Sequence, residues 1–142
     1  MHTFTALKLT REGAMMVLEA ALQEAQKLGR PVSAAVVDEG GHLFAFSRSA
    51  DAELYSVRIA IAKARGAALT RFPTGKKSPT GNDRSDHHAI AITLAAGTDS
   101  FVSIPGGCPI TVDGQVIGAV AVSGAGNHDQ TIAQTAASVI RK

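Results

Sequence analysis

The sequence predicts an α+β domain, in which α-helices pack on an antiparallel β-sheet. Two turn signals, Glu39-Gly40-Gly41 and Asp113-Gly114, each separate two runs of strand-forming residues, and stretches with helical spacing flank both hairpins. The resulting order of helix, hairpin, helix, loop, strand, hairpin and helix is typical of this fold class. The length of 142 residues predicts a single domain, residues 1–142.

The first part of the chain predicts a helix followed by a hairpin. Thr10 is the expected N-cap of the helix and Gly29 its end, because apolar residues recur at helical spacing between them. Residues 32–38 are apolar on both faces and predict a central strand. Residues 42–48 alternate in character and predict its antiparallel partner.

A second helix is expected to begin near Asp51, which can cap it, and to end before Pro73. Its apolar residues form two stripes, with Leu54, Val57, Ile61, Ala64 and Ala68 in one and Tyr55, Ile59, Ala62 and Gly66 in the other. A helix that is apolar on two sides is buried on two sides. The chain has few other elements to cover the second stripe, so we expect a partner subunit there and hence a homo-oligomer.

The second half of the chain predicts a long loop over residues 73–86, which are rich in Gly, Pro, Ser, Asp and Lys. The spacing in residues 87–96 fits a short helix or a strand. Residues 101–104 predict a short strand, and residues 108–112 and 115–123 predict the second hairpin. Asn127 is the expected cap of the last helix, with Gln130 reaching back to it.

Composition and charge argue against two classes of partner. The net charge is +2 and the basic residues are scattered, so we expect no nucleic-acid-binding surface. We recognise no signal peptide and no apolar run long enough for a membrane span, so we expect no membrane partner. The single cysteine, Cys108, excludes an internal disulfide and fits a reducing compartment. We therefore expect a cytoplasmic protein.

Several segments resemble the GlcG/HbpS family (DUF336), which also forms the C-terminal domain of PduO-type adenosyltransferases. The resemblance covers most of residues 8–140, and the matching positions are Val36-Val37-Asp38 with Gly41, Arg48, residues 56–64 (SVRIAIAKA), residues 105–110 (PGGCPI), residues 118–124 (GAVAVSG) and Asp129. It implies a GlcG/HbpS-like, profilin-like α-β-α fold.

The resemblance also implies a range of functions. Family members occur near glycolate, propanediol and aromatic catabolism, and some bind or sense haem, often as homo-oligomers. It therefore implies haem as a candidate cofactor and a link to small-molecule catabolism. The chain departs from the family pattern at Ala50, where an acidic residue is common, and at Cys108, where an aliphatic residue is common. Its first helix has no histidine to match the axial ligand of some haem-binding members.

Lys63 is the leading candidate site residue, because it is the only charge on a helix face lined by Ala and Gly. Partial desolvation would lower its pKa and suit it to act as a base, an anion anchor or a Schiff-base amine. The alternative is a lysine whose ammonium lies in water. Arg48 and Asp51, near the start of the second helix, either bind a carboxylate or pair at the surface.

The turn formed by Pro105, Gly106 and Gly107 is expected to border the same pocket, because its backbone N–H groups can bind an anion or an oxyanion. Cys108, which follows it, is a candidate nucleophile and haem ligand, or else a small buried hydrophobe.

A polar cluster around His87 and His88 supplies further candidates. Each histidine is a candidate general base or haem ligand, or part of a solvated loop end. Adjacent histidines on a helix diverge by about 100°, so the pair predicts no shared metal site.

Two functions fit these residues. One is a small-ligand-binding protein of the GlcG/HbpS type with haem as a candidate ligand, and this is the preferred interpretation. The other is a cofactor-independent lyase, isomerase or hydrolase that acts on a small carboxylate or carbonyl metabolite. In that enzyme, Lys63 and Arg48 would hold the carboxylate, the glycine turn would donate to an oxyanion, and His87 or Cys108 would move a proton.

Overall fold

Four antiparallel strands form the centre of the computed structural model, which describes residues 1–141. The strands are β1 (Ser33–Asp38), β2 (Leu43–Arg48), β3 (Gly107–Val112) and β4 (Gln115–Ser123), and they lie in the order β2-β1-β4-β3. The helices are α1 (Arg11–Lys27), α2 (Ser56–Thr70), α3 (Asp86–Ala96) and α4 (Asp129–Ala137), with a short 3-10 helix over Gly126–His128. The α+β prediction is confirmed.

β1 is a central strand, as its apolar sequence predicted. It pairs with β2 on one side and with β4 on the other, where Ser33 lies opposite Ser123 and Asp38 opposite Gly118. Every residue of β1 before Asp38 is buried. The pairing brings the end of β4 and the end of β2 to one end of the sheet, because Ser33 lies opposite both Ser123 and Arg48, and this end carries the connection to α2.

Helices cover both faces of the sheet and give the α-β-α arrangement. α1 and α4 pack on the face that carries Val36, Val120 and Val122. α2 packs on the opposite face, where the strands present small side chains, namely Ala35, Val37, Ala119 and Ala121. Because these side chains are short, the backbone of α2 lies close to the sheet.

Two expectations about the surroundings of α2 are wrong. The helix begins at Ser56, because the residues before it form turns, one of them closed by a hydrogen bond from Ser56 N to the Glu53 carbonyl oxygen. Asp51 is exposed and does not cap the helix. Residues 101–104 form no strand. They lie instead against α2, where a Cβ on Gly66 would be 3.4 Å from Val102 N. The second side of α2 is thus partly covered by its own chain.

Residues 86–96 form a helix rather than a strand, because Ser85 caps it by accepting from His88 N at 3.1 Å. None of the residues of α3 is buried, although most of them are apolar. Leu94 is 77% exposed and Ile90 59%. No helix within residues 1–141 has the length and apolar character needed to cross a membrane.

Candidate functional site

The buried face of α2 carries one charged side chain, that of Lys63. Ala60, Ala64 and Ala67 surround it on this face, and their small side chains leave room for the lysine stem against the sheet. Lys63 is 1% exposed. Its Nζ donates to the carbonyl oxygen of Val122 at 3.0 Å and to Oδ2 of Asp129 at 3.2 Å.

The carboxylate of Asp129, the first residue of α4, pairs with the buried ammonium of Lys63. It is 6% exposed, and its Oδ1 accepts from the backbone N–H of Ala125 at 2.8 Å. A buried charge needs such a partner and such hydrogen bonds. Desolvation lowers the pKa of Lys63, and the attraction of Asp129 opposes that shift without cancelling it.

The glycine turn before β3 closes over the lysine ammonium. A Cβ on Gly106 would lie 2.7 Å from Lys63 Nζ and 2.7 Å from the Val122 carbonyl oxygen, and its φ is +131°. Only glycine tolerates both this backbone conformation and this approach. A side chain at Gly106 would therefore displace the ammonium or the strand.

Two side chains hold the turn in place and occupy its backbone donors. Gly106 N donates to Oε1 of Gln130 at 2.6 Å, and Gly107 N donates to Oγ1 of Thr74 at 2.9 Å. Gln130 also donates from Nε2 to the Gly107 carbonyl at 3.3 Å. The expectation that Asn127 caps α4 with Gln130 reaching back is wrong, because Gln130 is engaged by the turn and α4 has no side-chain cap bond.

A cavity of about 560 Å³ lies beside the ion pair. Lys63 and Asp129 both line it, so the buried charges border space that a ligand can fill. The other lining residues are Glu53, Tyr55, Ser56, Ile59, Ile104, Pro105, Ser123, Gly124, Gly126 and Asn127. The site therefore combines one buried cation with apolar walls from α2 and from residues 104–105.

The structure brings only some of the predicted site residues together. Lys63 and Pro105 line the cavity, and Gly106 and Gly107 pack against Lys63. Arg48 is exposed at the end of β2 and does not line this cavity. Asp51 lines a separate groove beyond the end of α1, together with Arg30 and Ser49.

Cys108 and the two histidines lie away from the ion pair. Cys108 packs against the core on the α1 and α4 face, opposite to α2, and burial raises the pKa of its thiol. His87 and His88 are exposed on α3. No group of three or more His, Cys, Asp or Glu side chains within residues 1–141 is placed to hold a metal ion.

Sequence reasoning gave no role to Asp129 and missed Thr74 as a site residue. Asp129 is 66 residues from Lys63, so no local spacing reveals the pair. The signal in the sequence that could have pointed to Asp129 is an acidic residue at the start of a helix, directly after a glycine-rich turn. The same pattern is typical of an ordinary helix start, so it does not identify a site residue.

Comparison with known proteins assigns the chain and its fold to a family. A family model described as "Haem degrading protein HbpS-like" matches residues 9–138. The chain belongs to the HbpS-like family. A relative, Protein GlcG of Escherichia coli strain K12, is 40% identical over 120 residues, which are 84% of each chain.

Solved structures of similar proteins share this fold over nearly the whole chain. The Klebsiella pneumoniae protein ORFY, assigned to DUF336, superimposes with a TM-score of 0.80 at 26% identity and covers 97% of this chain and 94% of its own. The PduOC:heme complex superimposes with a TM-score of 0.74 at 26% identity and covers 94% of this chain and 96% of its own. The resemblance to the GlcG/HbpS family is confirmed.

The side chains around the Lys63 cavity do not fit a haem. Haem iron in proteins is held by imidazole, thiolate, thioether or phenolate ligands. Of these, the residues that line the cavity offer only the phenol of Tyr55, which is 63% exposed. The hydrogen bond that the Tyr55 phenol donates to Glu53, together with repulsion from the Glu53 charge, raises the pKa of Tyr55 and so disfavours its phenolate.

Proposed function

We propose that this protein binds a small metabolite with a carboxylate or carbonyl oxygen in the cavity beside Lys63. The observation that carries the proposal is a buried ammonium that borders this cavity. An ammonium has three N–H groups, and the contacts described for Lys63 use two of them. An oxygen of the ligand supplies the third acceptor.

The walls of the cavity match the rest of such a ligand. Ile59 and Ile104 offer apolar surface, and Tyr55 adds an aromatic ring at the rim. A volume of about 560 Å³ lies within the usual range for small-molecule sites, roughly 300–1,000 Å³. A small organic acid or oxo acid of catabolism fits both features.

Other contacts in the site favour a ligand-binding protein over the alternative function, an enzyme that transfers a proton. The N–H groups of Gly106 and Gly107, which that mechanism assigns to an oxyanion, donate to Gln130 and Thr74. The bases that it assigns, His87 and Cys108, do not line the cavity. In our proposal Lys63 and the walls hold the ligand.

Calorimetric titration with small oxo acids and aromatic acids tests this proposal. The variant is Lys63→Met/Asp129→Asn, because removing Lys63 alone leaves a buried unpaired carboxylate. We expect a roughly 10- to 150-fold loss of affinity, the worth of a hydrogen bond to a charged group. Lys77→Met, at an exposed lysine, is the matched control and should bind normally. Equal affinities in all three proteins would refute the cavity as the binding site.

Haem binding is a second candidate function, and one feature of α3 favours it. His87, Ile90 and Leu94 lie on one face of the helix at spacings of three and four residues, so an imidazole stands beside exposed apolar surface. In a hemin titration, the wild type should then show a saturable Soret shift that His87→Ala lacks. His88→Ala and Cys108→Ser should preserve the shift, because those side chains point to other faces of the helix and the sheet.

We further propose that the protein is a cytoplasmic homo-oligomer. The support for self-association is α3, an apolar helix with no buried residue. Monomeric proteins rarely leave such a surface uncovered. The support for the location is the free thiol of the single cysteine, Cys108.

A further inference from the structure

The amine of Lys63 meets the requirements for covalent capture of a carbonyl compound. Resting on the proposed function, we infer that Lys63 forms an imine with a ligand that carries an aldehyde or ketone, such as a 2-oxo acid. Three features of the molecule support this: the burial of the amine, the carboxylate beside it and the cavity that both of them line.

The first feature is that the amine lies in a site with little water. Lys63 is 1% exposed, and its neighbours on α2 are alanines. Desolvation lowers its pKa, so more of the amine is neutral and nucleophilic than in an exposed lysine. A dry site also favours the imine, because its formation releases water.

The second feature is a proton acceptor in contact with the amine. Oδ2 of Asp129 lies 3.2 Å from Nζ and can take a proton from the ammonium. The neutral nitrogen then attacks the carbonyl carbon, and an N–C bond forms as the C=O π bond breaks. The carbonyl oxygen takes up protons and leaves as water.

The proton balance of this reaction preserves the buried ion pair. One ammonium and one carbonyl give one protonated imine and one water, so two of the three ammonium protons leave with the oxygen and one stays on nitrogen. The product keeps its positive charge opposite the carboxylate of Asp129. The reaction therefore adds no unpaired charge at the Lys63–Asp129 pair, where such a charge would be costly because the pair is buried.

The third feature is the space in which the ligand would sit. Lys63 and Asp129 both line the cavity of about 560 Å³, and Ser123 and Asn127 offer polar groups beside them. A 2-oxo acid attached to Nζ would place its carboxylate among these groups. The apolar wall formed by Ile59 and Ile104 would take its hydrocarbon part.

Reductive trapping tests the imine on the full chain. The protein is incubated with pyruvate and sodium cyanoborohydride, and the modified lysine is identified by peptide mass spectrometry. We expect Lys63 to be modified about tenfold faster than the exposed lysines 8, 27, 76 and 77, because it is pre-positioned beside an acid–base partner. Lactate, which has a hydroxyl in place of the ketone of pyruvate, is the matched control and should give no adduct.

A variant separates covalent capture from simple binding. Lys63→Arg keeps a cation opposite Asp129 but has no amine that forms an imine. We expect it to give no adduct at position 63 and to show no preference for pyruvate over lactate in calorimetry, with circular dichroism showing an intact fold.

The failures of the two proposals are distinguishable. Saturable binding of pyruvate, with modification spread over the exposed lysines and Lys63 unmodified, overturns the imine and leaves the proposed function intact. The same labelling pattern with no binding of pyruvate, lactate or aromatic acids overturns both.

Discussion

Lys63 and Asp129 form an ion pair of 3.2 Å that joins the middle of α2 to the start of α4 through the interior of the protein. Among the ion pairs of residues 1–141, it is the one in which neither side chain is substantially exposed. A buried pair is often no more stabilising than apolar residues of the same volume. Its position beside a cavity therefore points to a role in binding.

We predict that the two charges are strongly coupled in stability. Lys63→Met or Asp129→Asn alone should cost about 3–5 kcal/mol, because each leaves an unpaired buried charge. The double variant should cost less than the sum, with a coupling energy of roughly 0.5–3 kcal/mol. Urea unfolding of the four proteins measures this cycle. Additive effects would show that the pair makes no net interaction.

The lowered pKa of Lys63 predicts an alkaline dependence of stability. The unfolded chain binds this proton more tightly than the folded chain, so between the folded-state pKa and the ordinary value of 10.5 the unfolded state carries more protons. The free energy of unfolding then rises with pH in this window. The unfavourable effect of burying the ammonium is fully present below the folded-state pKa and disappears as pH approaches 10.5.

The measurement is the difference in unfolding free energy between the wild type and Lys63→Met/Asp129→Asn, taken from neutral pH up to about pH 10. We expect this difference to move in favour of the wild type as pH rises. Cys108 and the other titrating groups are shared by the two proteins and cancel. A difference that moves the opposite way would mean that Asp129 raises the pKa more than burial lowers it.

Gly106→Ala should disrupt the site directly. Its Cβ would lie 2.7 Å from Lys63 Nζ, so the ammonium or the strand has to move. Gly75→Ala is the matched control, because Gly75 has φ +146° but only Pro105 Cγ at 3.7 Å near its Cβ position. We expect Gly106→Ala to cost about 1–3 kcal/mol more than the control in urea unfolding. Equal costs would show that the turn adapts without strain.

The α3 surface should mediate self-association. We expect the wild type to be an oligomer by light scattering at micromolar concentration, and Leu94→Glu to shift it towards smaller species by placing a charge in an apolar contact. Met16→Glu, at a 56% exposed residue of α1, is the control and should leave the oligomer unchanged. A monomeric wild type of normal stability would contradict the proposal.

Local signals in the sequence were sufficient for much of the fold. Thr10 caps α1 as predicted, because its hydroxyl accepts from Gly13 N within one turn of the chain. The Asp113-Gly114 turn joins β3 and β4 as predicted. The apolar character of β1 on both faces revealed its central place. The prediction of a strand over residues 101–104 is wrong, because these apolar and β-branched residues pack against α2 and do not pair with the sheet.

The candidate site was only partly accessible from the sequence. Lys63 stood out as a lone charge on a small-residue face, and the glycine turn was identified as its neighbour. The sequence did not show which face of β3 each residue occupies. Gly107 faces α2 and Lys63, so the alternation of the strand turns Cys108 to the opposite face.

The sequence by itself determined most of the elements, because caps, turns and alternation act between residues a few positions apart. The tertiary structure alone decided the partner of Lys63, since Asp129 is 66 residues away and reaches it only after α2 and α4 pack against the sheet. It also decided that the backbone donors of the glycine turn are occupied by Gln130 and Thr74. The partner of a buried charge is decided by the packing of distant elements, and no local spacing along the chain encodes it.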